Sequence, residues 1–496
     1  MVQLDLMIVV PLLFAVACLV ASNARASLVR WLALCAVALQ AVLLVSLAPV
    51  GVFAGERLSG LQMSTGSAVW GVATDGLSTP LVALTVFIGM VAVVASWGIV
   101  QRPAAYFGLI LAMQAAVTGV FLADSLVLFY VAWECVLVPM YFLIGGWGSS
   151  NRRHAATKYL IYMFAAGAFM LVGLILAIIE AGGEGSIAAI SAKAPAIATP
   201  QLVFWLFMIA FLAKVPAVGL HTWLPDAHTE APTAGSILLA GVLLKMGGYG
   251  IMRIAIPFAP GAFESARFAL AVLGVVGIVY GAAMALVQSD LKRLVAYSSV
   301  AHMGFVLLAI AVATPASFAA ALVAMVSHGL VAGLLFFLVG SLYDRAHTRE
   351  LSAFGGLGTS MPVWSVAFVF ASLASLGLPG LSGFPGEFVT LIESFRTLGA
   401  WTAIAVLGLV LAAAYNLRAI RATVQGPSGT RGSGTSGPGT RGSGTSGVLG
   451  DLTMRERGVV AVFALGIVVV GVWPALITGM SEAAVTGLAL LAGGGV

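Results

Sequence analysis

Residues 211–245 read FLAKVPAVGLHTWLPDAHTEAPTAGSILLAGVLLK, and this stretch decides the fold. Two lysines, Lys214 and Lys245, sit inside apolar runs of membrane-helix length. Between them lies a polar segment with Pro216, Pro225 and Pro232. An ionisable side chain at mid-bilayer depth costs roughly 2.5–3.5 kcal/mol on insertion scales, so it marks a functional site by default. Two such lysines on consecutive spans need a common explanation.

The whole chain has the same character. Its 496 residues are 61% hydrophobic and 8% charged, where a soluble domain carries about 25% charged residues. The class is therefore an all-α polytopic membrane protein. The net charge of +5 lies in loops and is no sign of nucleic-acid binding. Cys18, Cys35 and Cys135 lie apart in apolar runs. That spacing argues against an iron–sulfur cluster, a c-type haem and a disulfide framework. The N-terminal MVQLDLMIVV lacks the basic start of a cleaved signal and reads as a retained helix.

A span needs about 20 apolar residues. That rule places fourteen candidates near 3–22, 28–49, 77–99, 104–123, 125–146, 156–179, 200–219, 235–256, 268–288, 294–313, 316–342, 362–395, 399–420 and 457–479. The twelfth is interrupted by SLGLPGLSGFPGEF, so it is expected to be a broken helix, as is the seventh. Breaks at membrane depth survive only where protein or a water cavity covers them. Helices 4–8 (residues 101–260) and 9–13 (261–424) then form two five-helix repeats of opposite orientation. Helices 1–3 occupy 1–100, a flexible Gly/Ser/Thr loop 425–450, and helix 14 with the C-terminus 451–496. Within that loop GTRGSGTSG occurs at 429–437 and again at 439–447. With both termini on the non-cytoplasmic face, sixteen of the 23 Lys and Arg fall in cytoplasmic loops.

Six intramembrane side chains are candidates for moving protons. Glu134 lies in FYVAWECVLVPMYF, where Pro139 frees the Cys135 carbonyl; the competing reading is a carboxylate reaching the headgroups. Lys214 precedes Pro216, which frees the Leu212 carbonyl; the alternative is snorkelling from a helix end. A carboxylate that approaches or leaves such a lysine would load and release its proton, and Glu134 is the expected partner. Lys245 shares its helix face with Gly241 and Gly248, which leave room for water or a close helix. His302 and His328 lie on successive helices; each is either a proton carrier or a satisfied core group. Glu387 follows the break in helix 12, as a terminal proton site or a charge at a helix start. His221, Asp226, His228 and Glu230 match no zinc spacing and read as a hydrogen-bonded re-entrant loop.

These residues carry a resemblance. WE at 133–134, LAKVPAVGLHTWLPDAHTEAPT at 212–233, LLKMGGYG at 243–250, DLKRLVAYSSVAHMG at 290–304, SHGL at 327–330 and GFPGEF at 383–388 together resemble the antiporter-like membrane subunits of respiratory complex I, most closely the M type. The resemblance implies fourteen helices and two inverted repeats. It implies a proton relay through Glu134, Lys214, Lys245, His302, His328 and Glu387. It implies no cofactor in this chain, with NADH, flavin, iron–sulfur clusters and quinone handled by partner subunits. The implied partners are the neighbouring L- and N-type subunits, in the bacterial inner (plasma) membrane. The related Mrp cation/proton antiporter subunits are the alternative, but they and the L and N types usually carry lysine where Glu387 stands.

Overall fold

The computed structural model describes residues 1–21, 25–63, 70–426 and 449–493. The duplicated GTRGSGTSG segment lies outside the described residues. Hydrocarbon offers the backbone no water, so each segment must satisfy its own amides, and helices do this. Among the described residues five helices begin with proline at the first position, including Pro103–Leu122, Pro260–Val287 and Pro315–Ala346. Proline lacks only an N–H that would have had no partner there. The Asp290 carboxylate accepts from the Arg293 amide, and Thr314 with Ser317 forms a reciprocal cap on the helix that follows.

Among the described residues, eleven helices are long and apolar enough to cross a bilayer. The number is twelve if Met454–Val472 and Ala475–Leu491, bent by 59°, count as one span. Fourteen were expected, and the difference falls at the interrupted segments. Pro200–Lys214 and Pro362–Ser375 are too short to span alone. Each is followed by an irregular turn and a second piece, Trp223–Glu230 and Gly383–Leu398. The latter runs on through a single tight turn into Thr402–Thr423. The expected loop holding His221 to Glu230 is thus largely an eight-residue buried helix.

The all-helical expectation misses a β-hairpin, Leu58–Met63 paired antiparallel with Trp70–Thr74. This stretch is too polar and glycine-containing for the bilayer core, and the hairpin caps one end of the bundle. Against the residues that flank it lies the helix Ala475–Leu491, which continues past the expected end of the last span. Added side chains at Gly55 and Gly76 would strike the Met480 carbonyl.

Charge separates the two ends. At one, Arg30, Arg102, Arg345 and Arg349 bond carbonyls of Ile99, Gly146, Gly450 and Thr229; this is the basic face. At the other, Arg57 pairs with Asp124, Arg253 with Asp75 and Lys193 with Glu184. Three helices fill the interior between them. The apolar windows of Thr233–Phe258 and Leu291–Val312 are 94% buried and that of Pro315–Ala346 is 100% buried. A helix apolar on every side belongs in such a place. These three carry Lys245, His302 and His328.

The helix Leu291–Val312 packs unusually close to Pro260–Val287. A Cβ at Gly304 would stand 2.7 Å from the Ile278 nitrogen, and one at Gly274 would stand 2.8 Å from the Leu308 nitrogen. Backbone cannot yield as a side-chain tip can. Gly304→Val should therefore destabilise by about 1–3 kcal/mol. The check is thermal unfolding of the detergent-solubilised chain, and an unchanged midpoint would mean that the helices do not cross at Gly304.

Candidate functional site

The site is built on the two helix breaks. At the first, the Ala217 amide donates to the Leu212 carbonyl at 2.9 Å, so the carbonyl expected to be free is taken. The Ala213 carbonyl accepts from Trp223 Nε1 at 3.0 Å. At the second, the Leu378 amide donates to the Leu373 carbonyl at 3.2 Å. Each break turns on a glycine at positive φ, Gly219 at 99° and Gly380 at 90°. Glycine alone adopts that conformation without strain. The two interruptions are the same local solution. One ends a helix at Lys214, and the other starts a helix whose first turns hold Glu387.

Lys214 is fully buried, and no carboxylate lies within 4.0 Å of it among the described residues. Its ammonium lies 5.0 Å from the centre of the Trp133 ring and donates to Met163 Sδ at 3.6 Å. A desolvated cation over an indole gains about 2 kcal/mol. Glu134, the expected partner, stands apart. Its helix breaks at Val136, as Pro139 requires. The carboxylate lies against Gly167, where any larger residue would collide with Oε1, and Oε1 is buried without a hydrogen-bond partner.

Lys245 is also fully buried. Its ammonium bonds the Ala240 carbonyl and, at 2.6 Å, His328 Nδ1. The carbonyl is within reach because Leu239–Leu243 is a π-helical turn. Such turns insert an extra residue and are common at functional positions. Gly241 and Gly248, expected to leave room for water or a helix, leave room for helices. A Cβ at Gly241 would meet Ile88, and one at Gly248 would meet Met325.

The line continues across the interior. The His328 and His302 rings are 5.7 Å apart. His302 Nδ1 donates to Glu387 Oε1 at 2.7 Å, and its Nε2 lies 3.1 Å from the Ser375 hydroxyl. With Nδ1 of His328 taken by Lys245, its Nε2 is buried without a partner. A cavity of about 20 Å³ touches His328, His302, Ser327, Ser298 and Glu387. That volume admits one water, given polar partners. The structure thus brings Lys245, His328, His302 and Glu387 into one connected group, and leaves the buried Lys214 and the half-buried Glu134 apart from it and from each other.

Several participants are not legible in the sequence. Ser375 holds His302, yet a serine in an apolar run gives no signal. Lys292 reads as a loop cation, but it is 5% exposed and donates to the Ala231 carbonyl at 2.5 Å. It lines a cavity of about 440 Å³ at the basic face with Asp344 and Arg349. His228 is fully buried, stacked on Phe336 at 4.4 Å, and neither ring nitrogen has a partner. Asp226 is fixed by Lys158 at 2.6 Å, and Glu230 accepts from the Asn151 amide at 2.9 Å. Among the described residues no three His, Cys, Asp or Glu are grouped to hold a metal ion.

Comparison with known proteins agrees with this architecture. The family described as "NADH:quinone oxidoreductase/Mrp antiporter, TM" matches residues 123–412. NADH-quinone oxidoreductase subunit M of Pseudomonas aeruginosa is 40% identical over 494 residues, 94% of each chain. NAD(P)H-quinone oxidoreductase chain 4 1 of Synechococcus sp. is 44% identical over 413 residues, 82% of this chain and 76% of that one. Among solved structures, a chain of respiratory complex I from Thermus thermophilus superposes with a TM-score of 0.86 at 26% identity, covering 99% of this chain and 100% of its own. A chain of the Mrp complex from Dietzia sp. shares the fold, with a TM-score of 0.85 at 21% identity and complete coverage of both.

The His302–Glu387 bond makes a stability prediction. Glu387→Ala leaves a half-buried imidazole nitrogen without its acceptor, at about 1–3 kcal/mol, whereas Glu387→Gln keeps an acceptor there. Thermal unfolding should rank the alanine variant clearly below the glutamine variant. Equal midpoints would mean that the 2.7 Å contact is not made.

Proposed function

Because the chain belongs to the NADH:quinone oxidoreductase/Mrp antiporter membrane family, we propose that it works as the M-type, proton-translocating membrane subunit of an NADH:quinone oxidoreductase. The match to subunit M along nearly its whole length supports this reading over the Mrp alternative, where the likeness is one of fold. Glu387 favours the same choice. NADH oxidation and quinone reduction belong to other subunits of the assembly. This chain converts their free energy into proton movement and is expected to sit between L- and N-type neighbours.

The observation that carries the mechanism is the line of two hydrogen-bonded pairs, Lys245–His328 and His302–Glu387, whose imidazole rings stand 5.7 Å apart between the three buried helices and Gly383–Leu398. Lys245 gives a proton to His328 Nδ1, and His328 releases one from Nε2. A water in the small cavity passes that proton to the His302–Glu387 pair, which gives one up onward. Every carrier returns to its starting state once His328 has moved its remaining proton back from Nδ1 to Nε2 and Lys245 is reloaded. Lys214 and Glu134 supply the control. Apart, as here, each is an uncompensated charge or a neutral group; together they form an ion pair. Charge arriving from a neighbouring subunit shifts that balance, and the field at Lys245 changes with it. Such coupling is strong because the interior screens little.

The matching breaks at Gly219 and Gly380 support two inverted five-helix units, residues 101–260 and 261–424, within a fourteen-span arrangement. The concentration of basic side chains at one face supports a cytoplasmic position for that face, with both termini opposite.

The test is NADH-driven proton uptake in inverted membrane vesicles, with quinone reduction recorded in parallel. In Lys245→Ala the assembled complex should lose most of its pumping, and quinone reduction should slow with it. An unchanged proton-to-electron ratio would overturn the relay. If both activities are untouched, the chain acts outside such a complex, and sodium- or potassium-driven exchange is then the reading to measure.

A further inference from the structure

The helix that carries Lys245 holds a second polar cluster one turn nearer the face opposite the basic loops. Tyr249 is four residues past Lys245, on the same side of the helix. Its buried hydroxyl donates to the Phe121 carbonyl at 3.1 Å and accepts from Arg253 Nε at 3.0 Å. Arg253 in turn reaches Asp75 Oδ1 at 2.5 Å. Asp75 lies just before the helix Thr79–Ala95, at the foot of the β-hairpin. Tyr249, Arg253 and Asp75 line a cavity of about 460 Å³, which also touches the Arg57–Asp124 ion pair and the Ala475–Leu491 helix. A second π-helical turn, Ile251–Ala255, carries Arg253, so the short segment Leu244–Gly250 is flanked by π turns on both sides.

We propose that this cluster is a second proton outlet for Lys245, held shut by the Asp75–Arg253 ion pair. The proposal rests on Lys245 being a proton carrier. In the closed arrangement the Lys245 ammonium is turned toward Ala240 and His328, the opposite axial direction from Tyr249. The Arg253 guanidinium stands across the way out, and a fixed arginine charge excludes protons and cations from a pore. Asp75 is unable to accept a proton in this state. Burial alone would raise its carboxyl, but Arg253 and the amides of Ser78 and Leu77 outweigh burial and hold it at about 2. A lowered carboxylate keeps its pair above that value and loses it only as pH falls toward it. Acidification within the physiological range therefore leaves the outlet shut, and opening requires Arg253 to move, with Asp124 as the other carboxylate on the cavity wall.

With Arg253 displaced, the step balances. Lys245 releases a proton to water, and the Tyr249 hydroxyl receives one while giving up its own to water in the cavity that it lines. Tyr249, Arg253 and Asp75 end with their charges unchanged.

The test is passive proton leakage in inverted vesicles holding the assembled complex without NADH. A potassium diffusion potential drives the flow, and an internal pH dye follows it. Asp75→Asn removes the anchor of the gate, so leakage should rise several-fold over wild type. Adding Tyr249→Phe or Lys245→Ala should return it to the wild-type level. A merely structural pin would weaken assembly, which NADH:ferricyanide activity in the membranes reports, without a leak that depends on Lys245. Arg253→Gln, which removes the charge and the ion pair, provides the same reading if Asp75→Asn fails to assemble. Wild-type tightness in both gate variants, or a leak that survives Lys245→Ala, would overturn the outlet. If Lys245→Ala stops NADH-driven pumping while the gate variants stay tight, only the outlet falls. If it leaves pumping intact, the relay itself falls.

Discussion

An ammonium withdrawn from water into a protein interior must find acceptors there or give up its proton, because the desolvation of an unpaired charge costs several kcal/mol. Lys245 meets that constraint with one backbone carbonyl and one imidazole nitrogen, and much of the surrounding architecture serves this arrangement. The π turn Leu239–Leu243 presents the carbonyl. The 32-residue helix Pro315–Ala346 runs through the centre and presents His328. Glycines on both helices let them approach; a Cβ at Gly329 would stand 2.7 Å from the Gly241 carbonyl. An imidazole is a poised partner because it takes a proton near neutrality and has a second nitrogen from which to release one.

The breaks follow from the same logic. A continuous helix satisfies its own backbone and offers nothing to a proton. Interrupting it after Lys214 and before Glu387 places irregular backbone at membrane depth. Local bonds, such as Trp223 to the Ala213 carbonyl, take up the released groups, while Gly219 and Leu378–Gly380 stay exposed on the surface of this chain. The two charged centres differ in how they are satisfied. Lys214 rests on an aromatic face and a sulfur, which hold a cation loosely. Glu387 is held by a directional bond to His302. A centre held loosely responds to an incoming charge, and a centre held firmly keeps the geometry of transfer.

Two polar-lined cavities lie at opposite ends of the bundle. A cavity of about 440 Å³ at the basic face reaches Lys292, and one of about 460 Å³ at the other face reaches Tyr249 and Arg253. Between them the described residues enclose a cavity of about 20 Å³ beside the histidines. A pump needs this asymmetry, since a continuous aqueous path would dissipate the gradient it makes.

The sequence alone determined the class, the polar residues at membrane depth and the two interruptions. Each is a local property: an apolar run of span length, a lysine that no loop accommodates, a proline or glycine that no helix continues. It also separated the basic face from the other, because arginine and lysine are excluded from hydrocarbon whatever the packing. The β-hairpin escaped it, since a short polar stretch between spans carries no period strong enough to read. Only the tertiary structure decided which of the buried groups meet. Lys245 and His328 are 83 residues apart, and His302 and Glu387 are 85 apart. Ser375, His228 and Lys292 gained their surroundings in the same way. Hydrophobicity in a bilayer fixes how deep a residue lies, whereas the rotation of each helix about its axis is set by side-chain packing against its neighbours. That rotation aims Lys245 at a histidine and leaves Glu134 apart from Lys214.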